Sequence, residues 1–143
     1  MSFLDRILDR TQRLPKAVDP ATHCVLDYLT ISYFFITAGL FWGRNNRAAA
    51  AALINGGMVL GLSMLTDYPG GLKKISFRDH GKGDIMQAAT AAALPTLLGF
   101  GDEAAALPFR MQALNEAVVI GATDFDSAKA HEQARIAEEE AAA

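Results

Sequence analysis

CVLDYLTISYFFITAGLFW, from Cys24 to Trp42, carries one charge, Asp27, close to its start. A helix needs about 20 predominantly apolar residues to cross a hydrocarbon core, and this stretch has the length of such a span. Tyr28, Tyr33, Phe34, Phe35, Phe41 and Trp42 fall around more than one helical face, and Trp42 sits where an interfacial aromatic belt is expected. A soluble amphipathic helix would show a polar stripe, and none is present.

Three further stretches extend the pattern. AAAAALINGGMVLGLSML, Ala48 to Leu65, contains no charge and stops at Thr66-Asp67-Tyr68-Pro69-Gly70-Gly71, where Pro and paired Gly end a helix. Gly57 and Gly61 form a GxxxG, read as a small-residue packing face. Ile85 to Phe100 is slightly short for a span, with a kink expected at Pro95 and an extension through Gly83 and Asp84. Ala104 to Ala122 contains Arg110, Gln112, Asn115 and Glu116, and taken alone also fits a soluble amphipathic helix. The expected fold is all-α: an integral membrane four-helix bundle of two parallel helical-hairpin repeats. An amphipathic N-terminal segment (residues 1–18) lies on the membrane surface through Phe3, Leu4, Ile7 and Leu8, and a polar tail covers residues 126–143.

The full chain of 143 residues is 51% apolar and 20% charged, with a net charge of −3. Its mean hydropathy of +0.16 averages apolar spans with charged ends. One Cys excludes an intrachain disulfide framework, and the acidic balance argues against a nucleic-acid partner. Neither a phosphate loop, a nucleophile elbow, a CxxC pair nor an HExxH motif occurs. Arg6, Arg10, Arg13, Lys16, Lys73, Lys74, Arg78 and Lys82 fall on one side of the four spans, against Arg44, Arg47 and Arg110 on the other. The positive-inside rule then places both termini in the cytoplasm of a multi-pass protein of bacterial inner-membrane type.

His23-x-x-x-Asp27 recurs as His80-x-x-x-Asp84, and Thr66-Asp67-Tyr68 recurs as Thr123-Asp124-Phe125. One offset in the numbering, from 23 to 80 and from 66 to 123, relates both. The same offset relates Asp19 to Ser76, two good helix N-caps. Coincidences at one offset predict two copies of a helix–loop–helix unit, residues 19–75 and 76–125. With a three-residue gap, Leu114-Asn115 matches Ile54-Asn55. Both copies start and end on the same predicted side, so a candidate polar cluster of His23, Asp27, Asp67, Tyr68, His80, Asp84 and Asp124 gathers at the cytoplasmic helix ends.

Three readings of the cluster stay open. The His–Asp pairs can join the repeats by hydrogen bonds. Alternatively His23, Asp27, His80 and Asp84 hold a divalent metal such as Zn, Fe or Mn, with Asp67 and Asp124 in support. The third reading is a proton or ion relay, motivated by Asp27 and Glu116 within the spans, while the other intramembrane charge, Arg110, reaches the outer interface. The leading functional expectation is a non-catalytic scaffold or accessory subunit whose partners are the bilayer, copies of itself or other membrane subunits. A metal- or cofactor-binding membrane enzyme and a small transporter or channel subunit are the alternatives.

Overall fold

Asp19 and Ser76 each cap a long helix: the Asp19 carboxylate accepts the Thr22 N–H at 2.7 Å, and the Ser76 hydroxyl accepts the Asp79 N–H at 3.1 Å. In the computed structural model, which describes residues 1–68, 71–127 and 142, the chain is helical and holds no strand among the described residues. The order is α1 (Phe3–Thr11), α2 (Pro20–Phe41), α3 (Asn46–Leu65), α4 (Phe77–Leu97), a 3-10 turn (Ala104–Ala106) and α5 (Leu107–Ala122). Consecutive helices α2 and α3 pack together, as do α4 and α5, and α3 lies against α4. The circuit closes where Phe34 of α2 meets Phe109 of α5 and the Tyr33 hydroxyl donates to the Pro108 carbonyl at 2.9 Å.

Two apolar clusters bracket a polar layer. One, near the α2–α3 and α4–α5 connections, joins Phe34, Phe100 and Phe109 with Ala38, Ala48 and Ala52. Fully burying a Phe side chain is worth about 1.5–3 kcal/mol, so these three rings dominate that end. The other contains Leu8, Tyr68, Phe77, Ile120 and Phe125. Between them lie the buried His23, Asp27 and Thr30 of α2, Asn55 and Ser63 of α3, His80, Asp84 and Gln87 of α4, and Gln112 and Glu116 of α5. The outward faces are apolar, with Leu29, Ile36, Leu53, Leu97, Leu114 and Val118 among the exposed residues.

The segments before α2 and α4 each form a backbone bridge, Val18 with Thr123 and Ile75 with Thr66. Val18 N–H donates to Ala122 O at 3.0 Å, and Ile75 N–H donates to Leu65 O at 3.1 Å. The offset that carries His23 onto His80 also carries Val18 onto Ile75 and Thr66 onto Thr123, the residues of the two bridges.

Several expectations are corrected. Gly57 and Gly61 face outward with nothing near a Cβ position, and it is Gly56 that lets α3 approach α2, its Cβ position lying 3.2 Å from Phe34 Cβ. Asn115 is exposed, so the gapped match to Asn55 fails; the buried residue at that level of α5 is Gln112, which the repeat offset matches to Asn55 with no gap. α4 begins at Phe77, well before Ile85, and carries Pro95 within its last turn, while α5 proper has 16 residues. α1 packs against α4 and α5: it buries Leu8 completely, while Phe3 stays exposed. Its docking is ionic at the rim, where Arg78 pairs with Asp9 and, at 2.5 Å, with Asp126, and Lys82 pairs with Asp5 at 3.0 Å. The tail reading beyond residue 127 and the Pro69-Gly70 stop lie outside the described residues.

Candidate metal centre

His23 and His80 both stand at the fourth helical position after a cap, and Asp27 and Asp84 stand one turn further on, on the same faces. The helix pairing brings the four together in a closed ring. His23 Nε2 lies 3.4 Å from Asp27 Oδ1 and 3.1 Å from Asp84 Oδ2, and His80 Nε2 lies 3.1 Å from Asp27 Oδ2 and 3.1 Å from Asp84 Oδ1. One donor atom from each residue falls within 4.8 Å of all the others. All four residues are at most 3% exposed.

The protonation pattern follows from two threonines. Thr66 Oγ1 donates its only proton to Leu62 O at 2.6 Å, and Thr123 Oγ1 donates to Val119 O at 2.7 Å, each to the carbonyl one helical turn back. Each hydroxyl can therefore only accept from the imidazole it touches. His80 Nδ1–H donates to Thr66 at 2.7 Å, and His23 Nδ1–H donates to Thr123 at 2.8 Å. With Nδ1 protonated, a neutral imidazole points the Nε2 lone pair at two carboxylates. That is a repulsive arrangement unless a cation sits between them or each ring takes a second proton.

The ring is symmetric in its two histidines and two aspartates and asymmetric in its support. Ser63 Oγ and Tyr68 Oη each donate to Asp27 Oδ2 at 3.0 Å, and Tyr68 Oη also lies 3.2 Å from His80 Nε2. Burial, with Asp27 and Asp84 nearby, pushes the Tyr68 phenol well above its ordinary value, so without a bound cation it stays a donor. At the offset that carries His23 onto His80, Ser63 and Tyr68 fall on Ile120 and Phe125, which carry no hydroxyl. On that side His23 Nε2 and Asp84 Oδ2, 3.1 Å apart, are buried without a hydrogen-bond partner. Phe77 and Phe125 stand edge-on to the His23 ring with centroids at 5.3 and 5.5 Å, excluding water from it. Gly81 makes room for Phe125, whose ring would lie 2.8 Å from a Cβ at that position.

The other expected site residues lie elsewhere. Asp67 turns outward and pairs with Lys73 at 3.5 Å, and Asp124 accepts the Ser127 N–H at 2.9 Å, so neither joins the ring. Glu116 is buried and accepts from Gln112 Nε2 at 3.2 Å, whereas Arg110 is exposed and donates to Gly101 O at 2.7 Å. Cys24 is a partly buried free thiol outside the ligand set. Sequence reasoning misses Thr66, Thr123 and Ser63 as site residues. The two threonines carry a signal, because they open the repeated Thr-Asp-aromatic triplet; Ser63 carries none, as one hydroxyl in an apolar run.

A second polar set lies one to two turns deeper. Gln87 Nε2 donates to Asn55 Oδ1 and Gln112 Nε2 donates to Thr30 Oγ1, both at 3.2 Å. The repeat offset again relates these pairs, Thr30 to Gln87 and Asn55 to Gln112. No protein-family model, curated protein or solved structure matches this chain.

Proposed function

We propose that this chain is an integral membrane protein whose two parallel hairpins, α2–α3 and α4–α5, are joined by one buried transition-metal ion held by His23, Asp27, His80 and Asp84. The carrying observation is the pair of Thr–His hydrogen bonds, which hold Nδ1 protonated and so, in a neutral ring, leave each Nε2 as an acceptor aimed at two carboxylates. Four donors on tetrahedral bonds of about 2.0–2.1 Å sit ~3.3–3.4 Å apart, and octahedral neighbours sit about 2.8–3.0 Å apart. Each His–Asp contact, 3.1–3.4 Å, is of that size, with each carboxylate turning one oxygen to each imidazole. With one donor per residue the set spans up to 4.8 Å, so the side chains would draw in around an ion or the carboxylates would bind through both oxygens. A divalent ion with two carboxylates and two neutral imidazoles leaves no net charge in the interior.

Closed, four-ligand burial suits a structural ion better than a catalytic one, which keeps an open position. The role is therefore non-catalytic: a metal-stapled membrane scaffold or accessory subunit. Duplication is supported by the matched bridges, the matched Thr–His bonds and the matched deeper pairs, each at the same offset. Insertion in the bilayer is supported by a polar interior inside an apolar exterior. By length and composition, Pro20–Phe41 and Asn46–Leu65 suffice to span. In the basic-side orientation the site lies one turn inside the cytoplasmic interface, under α1.

The second reading is an ionic staple. With both rings doubly protonated, two imidazolium and two carboxylate groups also sum to zero, and each Nε2–H has carboxylate oxygens at 3.1–3.4 Å. Metal analysis of the purified protein decides. The proposal expects one transition metal per chain, lost in His23→Ala with His80→Ala. Protein that is metal-free as isolated and takes up none on incubation with Zn(II), Fe(II) or Mn(II) rejects it in favour of the ionic staple.

A further inference from the structure

The hydroxyl of Tyr68 sits among the metal donors at the spacing the donors keep among themselves. It lies 3.0 Å from Asp27 Oδ2 and 3.2 Å from His80 Nε2. Asp27 Oδ2 and His80 Nε2 are themselves 3.1 Å apart, so the three atoms form a triangle with sides of 3.0–3.2 Å, the separation of neighbouring ligands on one ion. Tyr68 enters from the loop after α3, which sets its ring against that of His80 with centroids 5.2 Å apart. It is 2% exposed, so no water competes for the position.

We propose that the centre accepts a ferric ion, with Tyr68 as its fifth protein ligand through a phenolate oxygen. This rests on the metal reading above and adds the identity and charge of the ion. The donor set, two imidazoles and three hard oxygens with no thiolate, matches iron better than softer metals. Charge gives the reason for the fifth ligand. Two carboxylates leave a trivalent ion with one uncompensated positive charge in a site closed to water, which is strongly unfavourable. A phenolate cancels it. A divalent ion is already neutralised by Asp27 and Asp84, so with zinc Tyr68 keeps its proton and goes on donating to Asp27. In the ferric case the Tyr68 O–H bond breaks, an O–Fe bond forms and the proton leaves to the buffer. The iron remains ferric, and no electron is transferred.

The protein supplies its own control. Phe125, the repeat counterpart of Tyr68, packs against His23 much as Tyr68 packs against His80, with centroids at 5.5 Å. Tyr68→Phe therefore introduces a side chain that this environment already accommodates. The test uses the full chain in detergent, loaded either with ferric citrate or with zinc sulfate. Wild type with ferric iron is expected to show a visible phenolate-to-iron charge-transfer band and to release one more proton per ion than it does with zinc. Tyr68→Phe is expected to bind zinc still, about 10–100-fold more weakly for want of the hydrogen bond to Asp27, to keep its helical circular dichroism, and to lose both the band and the extra proton. Wild type that binds ferric iron without the band overturns the proposal, as does a band that survives in Tyr68→Phe or a wild type that binds zinc and rejects ferric iron. Failure to bind any ion overturns the metal reading itself and this proposal with it, so the two failures are distinguishable.

Discussion

Thr123→Val removes the acceptor for His23 Nδ1–H without changing the size or branching of the side chain. The imidazole is fully buried and edged by Phe77 and Phe125, so no water replaces the lost partner at 2.8 Å. A buried donor left unsatisfied costs about 1–3 kcal/mol. Part of that cost is relieved if the ring moves its proton to Nε2, but this tautomer turns an N–H toward the proposed ion and removes the lone pair that would bind it. Either way metal affinity falls. Loss of the contact that orients a ligating His weakens metal binding about 10–100-fold, or ~1.4–2.7 kcal/mol, which agrees with the desolvation figure obtained independently. The assay is competition against a chromophoric chelator with the full chain in detergent. Thr123→Ser, which keeps the hydroxyl and its bond to Val119 O, is the rescue variant. Thr66→Val should act on His80 by the same amount. Equal affinity in wild type and Thr123→Val, or a Ser variant as weak as Val, would refute the tautomer argument.

Other parts of the structure respond to perturbation in their own ways. Leu8→Ala empties a fully buried site beneath α1, should cost about 2–5 kcal/mol, and should accelerate metal exchange as α1 loosens; chelator-driven release measures it. Arg78→Ala removes ion pairs to Asp9 and Asp126 that are partly exposed, so the loss should be no more than about 1 kcal/mol and should shrink in high salt, read by hydrogen exchange in α1. Gly81→Ala drives a methyl into the Phe125 ring and should destabilise the His23 side of the centre first, visible as a lower thermal midpoint and weaker metal binding. The Asp19 carboxylate is held below its ordinary value of 3.8 by the Thr22 N–H it caps, so its contribution is complete above that value and is lost as pH falls through the lower folded one. Amide protection at the start of α2 should drop in that acidic range, and Asp19→Asn should abolish the dependence.

The His–Asp ring was legible because three local rules coincided: a cap fixed the helix start, the i, i+4 spacing placed His and Asp on one face, and a single offset in the numbering recurred. Asp67 and Asp124 misled for a geometric reason. Thr66 and Thr123 cap the C-termini of α3 and α5, where a hydroxyl can bond back to the previous turn and present its oxygen inward, while the next residue leaves the helix and swings outward. The informative residue of each triplet was thus the uncharged one. The deeper pairs Thr30–Gln112 and Asn55–Gln87 were available at the same offset, but a gapped match to Asn115 concealed them. The docking of α1 was not legible, because an amphipathic helix with Leu8 on its apolar face fits a membrane surface and a protein surface equally well; only the positions of Arg78 and Lys82 on α4 decide where it lies.

Under the duplication reading, the direction of the Thr–His bonds has a further consequence. His23 of the first hairpin takes its threonine from the second, and His80 of the second takes its threonine from the first. Each imidazole also faces one carboxylate from its own hairpin and one from the other. A single hairpin would therefore carry two potential ligands but lack the threonine that fixes its histidine, and two identical hairpins would build the whole ring by two-fold symmetry. Joining them in one chain releases the halves to diverge. Around the ring the halves differ in support, Ser63 and Tyr68 standing against Ile120 and Phe125. The two histidines and two aspartates did not diverge, which under the metal reading is the pattern expected when an ion needs both halves equally and only the surroundings tune its charge and coordination number.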